Sequence, residues 1–328
     1  MAQAEKKNSF IRGWILCICT FGVVCLLVAS VAPTEGQATE QNFVKYRPSS
    51  TVRVVPKLVY ARYNARKLFL DLYLPMPLGR NRPGAIVVRG GGWLVGDRKR
   101  FAHVASALAQ RGVAAACIEY RTANEAAFPA AIQDVKAAVR WMRANAAQYG
   151  IDPSVVGTIG GSSGAYMALL AGLTQGVPEF EGNGGNAGTS SEIQGVVAMA
   201  VPADLLTLTA GNKLTVGEFL HATPEQDNEK WQWASPLNHI RSDGPPVLLL
   251  HGAVDDSVSP SQSIAFAQGY RDVGASAEVH ILDDAPHAFW NYYPWFNDAM
   301  ERAANFFLNL QKDRSSSLNL VNVIGHVE

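Results

Sequence analysis

Thiols are scarce where a fold would use them. Of four cysteines, Cys17, Cys19 and Cys25 lie within the first 38 residues, and Cys117 alone remains in the body of the 328-residue chain. A disulfide within that body is excluded, and so is a metal cluster built from thiolates. Cys117 sits in the apolar run VAAACIEY and reads as a small buried hydrophobe. Net charge is lacking too. Lys plus Arg and Asp plus Glu number 28 each, and setting aside Lys6, Lys7 and Arg12 against Glu5 and Glu35 leaves 25 basic and 26 acidic residues. Nothing in that balance draws a nucleic-acid backbone or an anionic membrane surface. Charged residues make up 17% of the chain and hydrophobic ones 48%, which suits a globular protein with a sizeable core and excludes a disordered one.

What is present begins with Lys6, Lys7 and Arg12 ahead of the apolar run Trp14–Ala32, 19 residues long. A basic flank leading into such a run predicts a signal peptide or an N-terminal membrane anchor over residues 1–38, with Gly36-Gln37-Ala38 offering small residues for cleavage. Either outcome places the remainder of the chain outside the cytoplasm, secreted, periplasmic or anchored. Residues 39–51 are polar and read as a linker. From 52 to 311, strand patterns alternate with helical ones. Val52–Tyr60 and Lys67–Leu74 read as a hairpin, with Leu68, Leu70, Leu72 and Leu74 in alternation. Short apolar strands come next at Gly84–Arg89, Val113–Tyr120, Ile193–Val201, Pro246–Leu250 and Ala277–Leu282. Helices are expected at Arg100–Arg111, from Pro129 through Tyr149, at Ser261–Val273 and at Asp298–Leu310. The predicted class is α/β, a mainly parallel sheet of about eight strands covered on both faces. Residues 203–244 lack a clear period and read as an insertion over the sheet, and residues 312–328 as a C-terminal tail.

The stretch Val155–Leu173, VVGTIGGSSGAYMALLAGL, starts as a strand and ends as a helix. Between them stands Gly160-Gly161-Ser162-Ser163-Gly164, a G-x-S-x-G. In a chain with 29 glycines the pentapeptide alone also fits an ordinary glycine-rich turn. Strand before and helix after give it chemical meaning: the chain must bend so sharply that Ser162 is lifted clear of the sheet, beside the positive end of a helix. A serine hydroxyl needs a base, and the base needs a carboxylate to fix its tautomer. His287 comes after the strand VHIL and Asp255 after VLLLHG, both at carboxyl ends of strands, where open α/β sheets place their sites. Asp256, Asp283 and Asp284 are competing carboxylates; Asp255 is preferred because His251-Gly-x-x-Asp255 leaves a short turn. His251 is read as ordering that turn. Gly90-Gly91-Gly92-Trp93 succeeds another strand, and the N–H groups of Gly91, Gly92 and Ser163 are candidate donors to an alkoxide. Trp93, Trp231 and Trp290 are candidate substrate contacts, Trp290 from the aromatic run AFWNYYPWF. Packing against the core is the competing reading for these aromatics.

GGGW, FPAAIQDVKAAVRWMRANAAQYGIDP, GGSSG, HGAVDDSVSP and PHAF, in this order, resemble the α/β-hydrolase fold superfamily. Within it they resemble the acetyl/feruloyl esterases of the BD-FAE type, near the hormone-sensitive-lipase-like esterases. The resemblance covers about residues 52–311. It implies a serine carboxylic ester hydrolase with Ser162, Asp255 and His287 as triad and Gly91, Gly92 and Ser163 as oxyanion hole. It implies no metal and no organic cofactor, and a small-molecule or polysaccharide ester as partner, with release of acetyl or feruloyl groups from plant polysaccharide as the expected reaction. A kynurenine-formamidase-like amidase and a non-catalytic binding protein on the same fold are the alternatives. Arg89 departs from the family, which usually has His before the glycines; it is expected either to brace that loop differently or to set a cation beside an acidic substrate.

Overall fold

The computed structural model describes residues 42–324, so the expected signal peptide or anchor lies outside the described residues. Eight strands form one sheet in the order β1-β2-β4-β3-β5-β6-β7-β8. β1 (Val52–Tyr63) and β2 (Arg66–Pro75) are the expected hairpin, and β2 also runs antiparallel to β4 (Ala114–Ile118). All other pairings, through β3 (Arg82–Val88), β5 (Ile151–Gly161), β6 (Val196–Met199), β7 (Val247–Gly252) and β8 (Ala277–Leu282), are parallel.

The parallel strands are apolar on both sides because both sides are covered. In β3, Ile86 and Val88 pack into one core while Ala85 and Val87 pack into the other; in β4 the split is Ala114, Ala116 and Ile118 against Ala115 and Cys117. The first core is completed by α2 (Ala130–Ala144), with α3 (Ala146–Tyr149) continuing after Asn145, and by α4 (Ser163–Leu173), every residue of which is buried. The short α5 (Pro178–Glu181) and α8 (Ser261–Asp272) lie on the same side through Phe180 and Phe266. The second core is built from α1 (Ala102–Gln110) and α9 (Trp295–Ile324). α9 carries the chain well past Lys312, so the C-terminal stretch expected as a tail continues the last helix over its described part. Cys117 is buried as expected, and burial pushes its thiol well above the ordinary range.

The insertion 203–244 holds α6 (Ala210–Leu220) and α7 (Asn228–Ala234) between β6 and β7. The stretch 39–51, read as a linker, has a definite place over its described part. Phe43 forms a bridge with Tyr292, the Val44 N–H donates to Asn291 O at 2.8 Å, and the Tyr293 N–H donates to Asn42 O at 2.9 Å. It is laid along the loop just after His287.

His103, on α1, is buried in the second core, where its Nε2–H donates to Trp290 O at 3.1 Å. Burial lowers its pKa from 6.5 to about 4, against the opposing pull of that hydrogen bond. The unfolded chain therefore binds the extra proton first, so stability falls as pH drops from about 6.5 towards 4 and changes no further below that on this account. The native state should lose about 2 kcal/mol between pH 7 and pH 5 through this residue. Urea denaturation at the two pH values checks it: His103→Gln, which keeps a donor for Trp290 O, should lose about 2 kcal/mol less than wild type over that interval.

Candidate active site

The bend after β5 is enforced by backbone crowding. A Cβ on Gly160 would lie 2.2 Å from Gly164 O, and one on Gly164 would lie 2.2 Å from Val88 O, so both positions admit only glycine. Ser162 takes φ 56° and ψ −126°, a conformation that costs on the order of 1–3 kcal/mol for a residue with a side chain. Two bonds hold it there: its N–H donates to Met199 O at 2.8 Å, extending the β5–β6 ladder, and its carbonyl accepts from Tyr166 N at 3.0 Å, opening α4.

Ser162 Oγ lies 3.0 Å from His287 Nε2, and His287 Nδ1 lies 2.8 Å from Asp255 Oδ2. A carboxylate can only accept, so Nδ1 carries the proton and Nε2 is left to accept from the serine hydroxyl. Asp255 is buried and hydrogen-bonded to this histidine, whereas Asp256, Asp283 and Asp284 are exposed. Burial works to raise the Asp255 pKa, but hydrogen bonds from His251 and His287, the positive charge His287 can take, and the Val258 N–H outweigh it, and the carboxyl is held well below its ordinary value. Its other oxygen accepts from Ser257 N at 2.9 Å and Val258 N at 2.8 Å.

His251 orders the turn as expected and does more. Its Nε2–H donates to Val258 O at 2.9 Å and lies 3.2 Å from Asp255 Oδ2, while Nδ1 accepts from Ser263 Oγ at 2.7 Å. That second histidine on the carboxylate has a sequence signal only in its spacing, four residues before Asp255.

Gly91 and Gly92 stand beside Ser162 at the mouth of the same cavity, with φ of 125° and 58°. No hydrogen bond among the described residues takes up their N–H groups, and Ser163 N–H is the first of α4, with no acceptor one turn earlier in the helix. The loop is held from behind by Arg89. Its guanidinium donates through Nη1 to Val95 O at 2.6 Å, Gly90 O at 3.1 Å and Tyr120 Oη at 2.8 Å, and lies over the Tyr120 ring, 4.2 Å from its centre. Burial lowers its affinity for its proton. Of the two expectations for Arg89, bracing is what the structure bears out; the side chain is 3% exposed and does not line the cavity at Ser162, so it sets no cation beside a substrate there.

The three tryptophans part company. Trp290 lines the cavity, edge-on to His287 with ring centres 5.8 Å apart. Trp93 lines a second, smaller cavity while stacking on Phe219 at 5.0 Å. Trp231 is a correction: it is fully buried in α7, its indole N–H donates to Ala222 O at 2.9 Å, and it packs in the core. Missed in the sequence were Lys45, Tyr46, Lys99 and Arg100, which line the larger cavity. The larger cavity measures about 790 Å³ and the smaller about 50 Å³, and Ser162 and Gly92 line both. Leu208, Thr215 and Val216 of the insertion close the smaller one, which puts the insertion over the site as expected.

The model of the BD-FAE family matches residues 70–270, well over half of the chain. The chain belongs to the BD-FAE family. Among the relatives of this BD-FAE protein is the esterase LipQ of Mycobacterium tuberculosis, 32% identical over 235 residues, covering 68% of this chain and 55% of LipQ. The chain thus spans about half the length of the curated relatives it matches. A truncated carbohydrate esterase from gut microbiota superposes with a TM-score of 0.71 at 27% identity, covering 85% of this chain and 100% of the other. Esterase 2 of Thermogutta terrifontis, in a structure phosphorylated by paraoxon, does so at 0.66 and 25% identity, covering 81% and 97%. These neighbours carry the α/β-hydrolase fold, and the eight-stranded sheet of this chain is that fold.

Arg89 contributes buried, charge-assisted bonds whose loss strands two carbonyls, offset in part by removal of a desolvated cation. Arg89→Leu should lower the unfolding free energy in urea by about 2 kcal/mol and speed amide exchange over Leu94–Val95. An unchanged free energy with unchanged exchange would show that the guanidinium does not hold the loop.

Proposed function

We propose that this BD-FAE protein is a serine carboxylic ester hydrolase that removes short acyl groups, acetyl above all, from bulky alcohols such as saccharides. The observation that carries the reading is the aligned chain Ser162–His287–Asp255 set where two unequal cavities meet. Ser162 Oγ attacks the ester carbonyl carbon as His287 Nε2 takes its proton, and Asp255 steadies the imidazolium. The N–H groups of Gly91, Gly92 and Ser163 receive the alkoxide, each donor contributing about 2.7–4 kcal/mol to the rate. Collapse expels the alcohol, which takes the proton from His287, and water then releases the acid from the acyl-enzyme by the same steps in reverse.

The cavity sizes favour acetyl over feruloyl. When the alcohol is part of a polymer it must lie in the open cavity, which has the size usual for ligand sites. The acyl group is then left with about 50 Å³, room for a few heavy atoms and not for a cinnamoyl ring. Similarity to a carbohydrate esterase supports a saccharide alcohol, and similarity to an esterase that paraoxon phosphorylates supports a serine nucleophile. The basic flank and apolar run of residues 6–32 support export or anchoring outside the cytoplasm.

Paraoxon should add one diethylphosphoryl group at Ser162, read by peptide mass spectrometry, and none to Ser162→Ala; labelling elsewhere with activity intact in that variant would remove Ser162 from the role. Asp255→Asn should lower kcat by about 10⁴-fold through the wrong imidazole tautomer, while Asp256→Asn stays near wild type. With one alcohol throughout, kcat/KM should fall steeply from acetyl to butyryl to feruloyl esters, and N-formylkynurenine should not be turned over. Faster cleavage of feruloyl esters would reverse the assignment of the two cavities.

A further inference from the structure

The larger cavity carries charge of one sign. Lys45, Lys99 and Arg100 line it and no Asp or Glu does, in a chain whose charges balance at 28 each. None of the three forms an ion pair among the described residues. Their neighbour Arg98 shows the contrast: its guanidinium reaches Asp71 at 2.9 Å and Glu119 at 2.6 Å and is spent on the protein's own carboxylates. Of three consecutive bases, the first is neutralised and the next two line the cleft. Asp97, beside them in sequence, is occupied as a cap, its Oδ1 accepting the Lys99 N–H at 3.0 Å. His103 also lines the cavity, and its lowered pKa keeps it uncharged near neutral pH.

The cationic lining does not stop there. An adjoining cavity of about 640 Å³ shares Lys45 and Tyr46 with the first and adds Arg47 and Arg111, again without a carboxylate. Cations held together in a groove repel one another, and an anion that enters relieves this repulsion and gains from the field between low-dielectric walls. A neutral sugar needs hydrogen-bonding partners and aromatic faces but gives no use for such a row.

We propose that the alcohol part of the substrate is anionic: an acylated, carboxylate-bearing molecule, by its length an acidic saccharide chain, whose carboxylates lie against Lys45, Lys99 and Arg100 while its ester reaches Ser162. This rests on the esterase reading and on the larger cavity as the alcohol side. The acyl group remains in the small apolar cavity, where no charge is needed.

The test compares 4-acetoxybenzoate with 4-acetoxybenzamide, each rate divided by that ester's hydroxide-catalysed hydrolysis, at about 0.02 M and about 1 M NaCl, which shorten the screening length from tens of ångströms to about 3 Å. At low salt kcat/KM should favour the anionic ester by about tenfold, and the preference should shrink towards unity at high salt. In Lys99→Gln/Arg100→Gln, and further with Lys45→Gln, the low-salt ratio should fall about threefold or more. Equal values for the two esters at low salt, or a preference that survives the triple substitution, would overturn the proposal while leaving the esterase reading standing. Hydrolysis of neither ester by the wild type would overturn the esterase reading and this inference with it.

Discussion

The face that carries Ser162 depends on one steric constraint: the bend from β5 into α4 is so tight that a Cβ at position 160 would meet Gly164, and α4 starts so close to the end of β3 that a Cβ at position 164 would meet Val88 and Arg89. With the glycines fixed, the residue between them is forced to positive φ, and the ladder bond from Ser162 N to Met199 O anchors that residue to the sheet. The strain is local, but its support is global, since the neighbouring backbone belongs to strands paired along their length. Ser162 is not alone in this. Trp93, Ala200 and Asp284 also take positive φ, and with Ser162 they come after β3, β6, β8 and β5 at their carboxyl ends. Four of the nine non-glycine residues with positive φ among the described residues thus follow the carboxyl ends of strands, where the rigid sheet can sustain them.

The electrostatics show a similar division. Asp255 is removed from water and given hydrogen bonds to both oxygens, one from backbone amides and one shared between two histidines. A carboxylate so surrounded stays ionised and stays still, and it can orient His287 for that reason. Arg89 stands on the other side as a cation buried without a carboxylate partner among the described residues, its charge spread onto two carbonyl oxygens and an aromatic face. The glycine loop of this chain is thus braced by a buried guanidinium.

Much of this was legible in the sequence, and the legible parts share a cause. Strands buried on both faces must be continuously apolar, so β3, β4, β6 and β7 announced themselves, and residues that act at strand ends were found by looking just past them. Asp255 could be preferred over Asp256 because turn length limits where a carboxylate can point. The remainder was hidden because nothing local encodes it. Trp231 looked like a ligand contact since its burial depends on packing from elements distant in sequence, and its hydrogen bond goes to a backbone carbonyl. The stretch around Phe43–Tyr46 looked like a linker because its position is set by backbone bonds to residues 291–293, which any side chains can make. In the sequence Arg100 reads only as the start of a helix and Lys99 falls in no element; the fold alone reveals that Arg98 is spent on Asp71 and Glu119 while the next two bases line the cavity.

That backbone pairing alters where the folded unit ought to be cut. A boundary drawn at the first strand, Val52, would respect the sheet, yet it would take Val44 out of the second core, strip one wall from the larger cavity and expose the loop carrying Trp290 and Tyr292. The resulting fragment would keep the eight strands and Ser162 while losing part of the cavity wall beside them. For this chain the limits of the sheet and of the cavity beside Ser162 differ by about ten residues at the amino-terminal side.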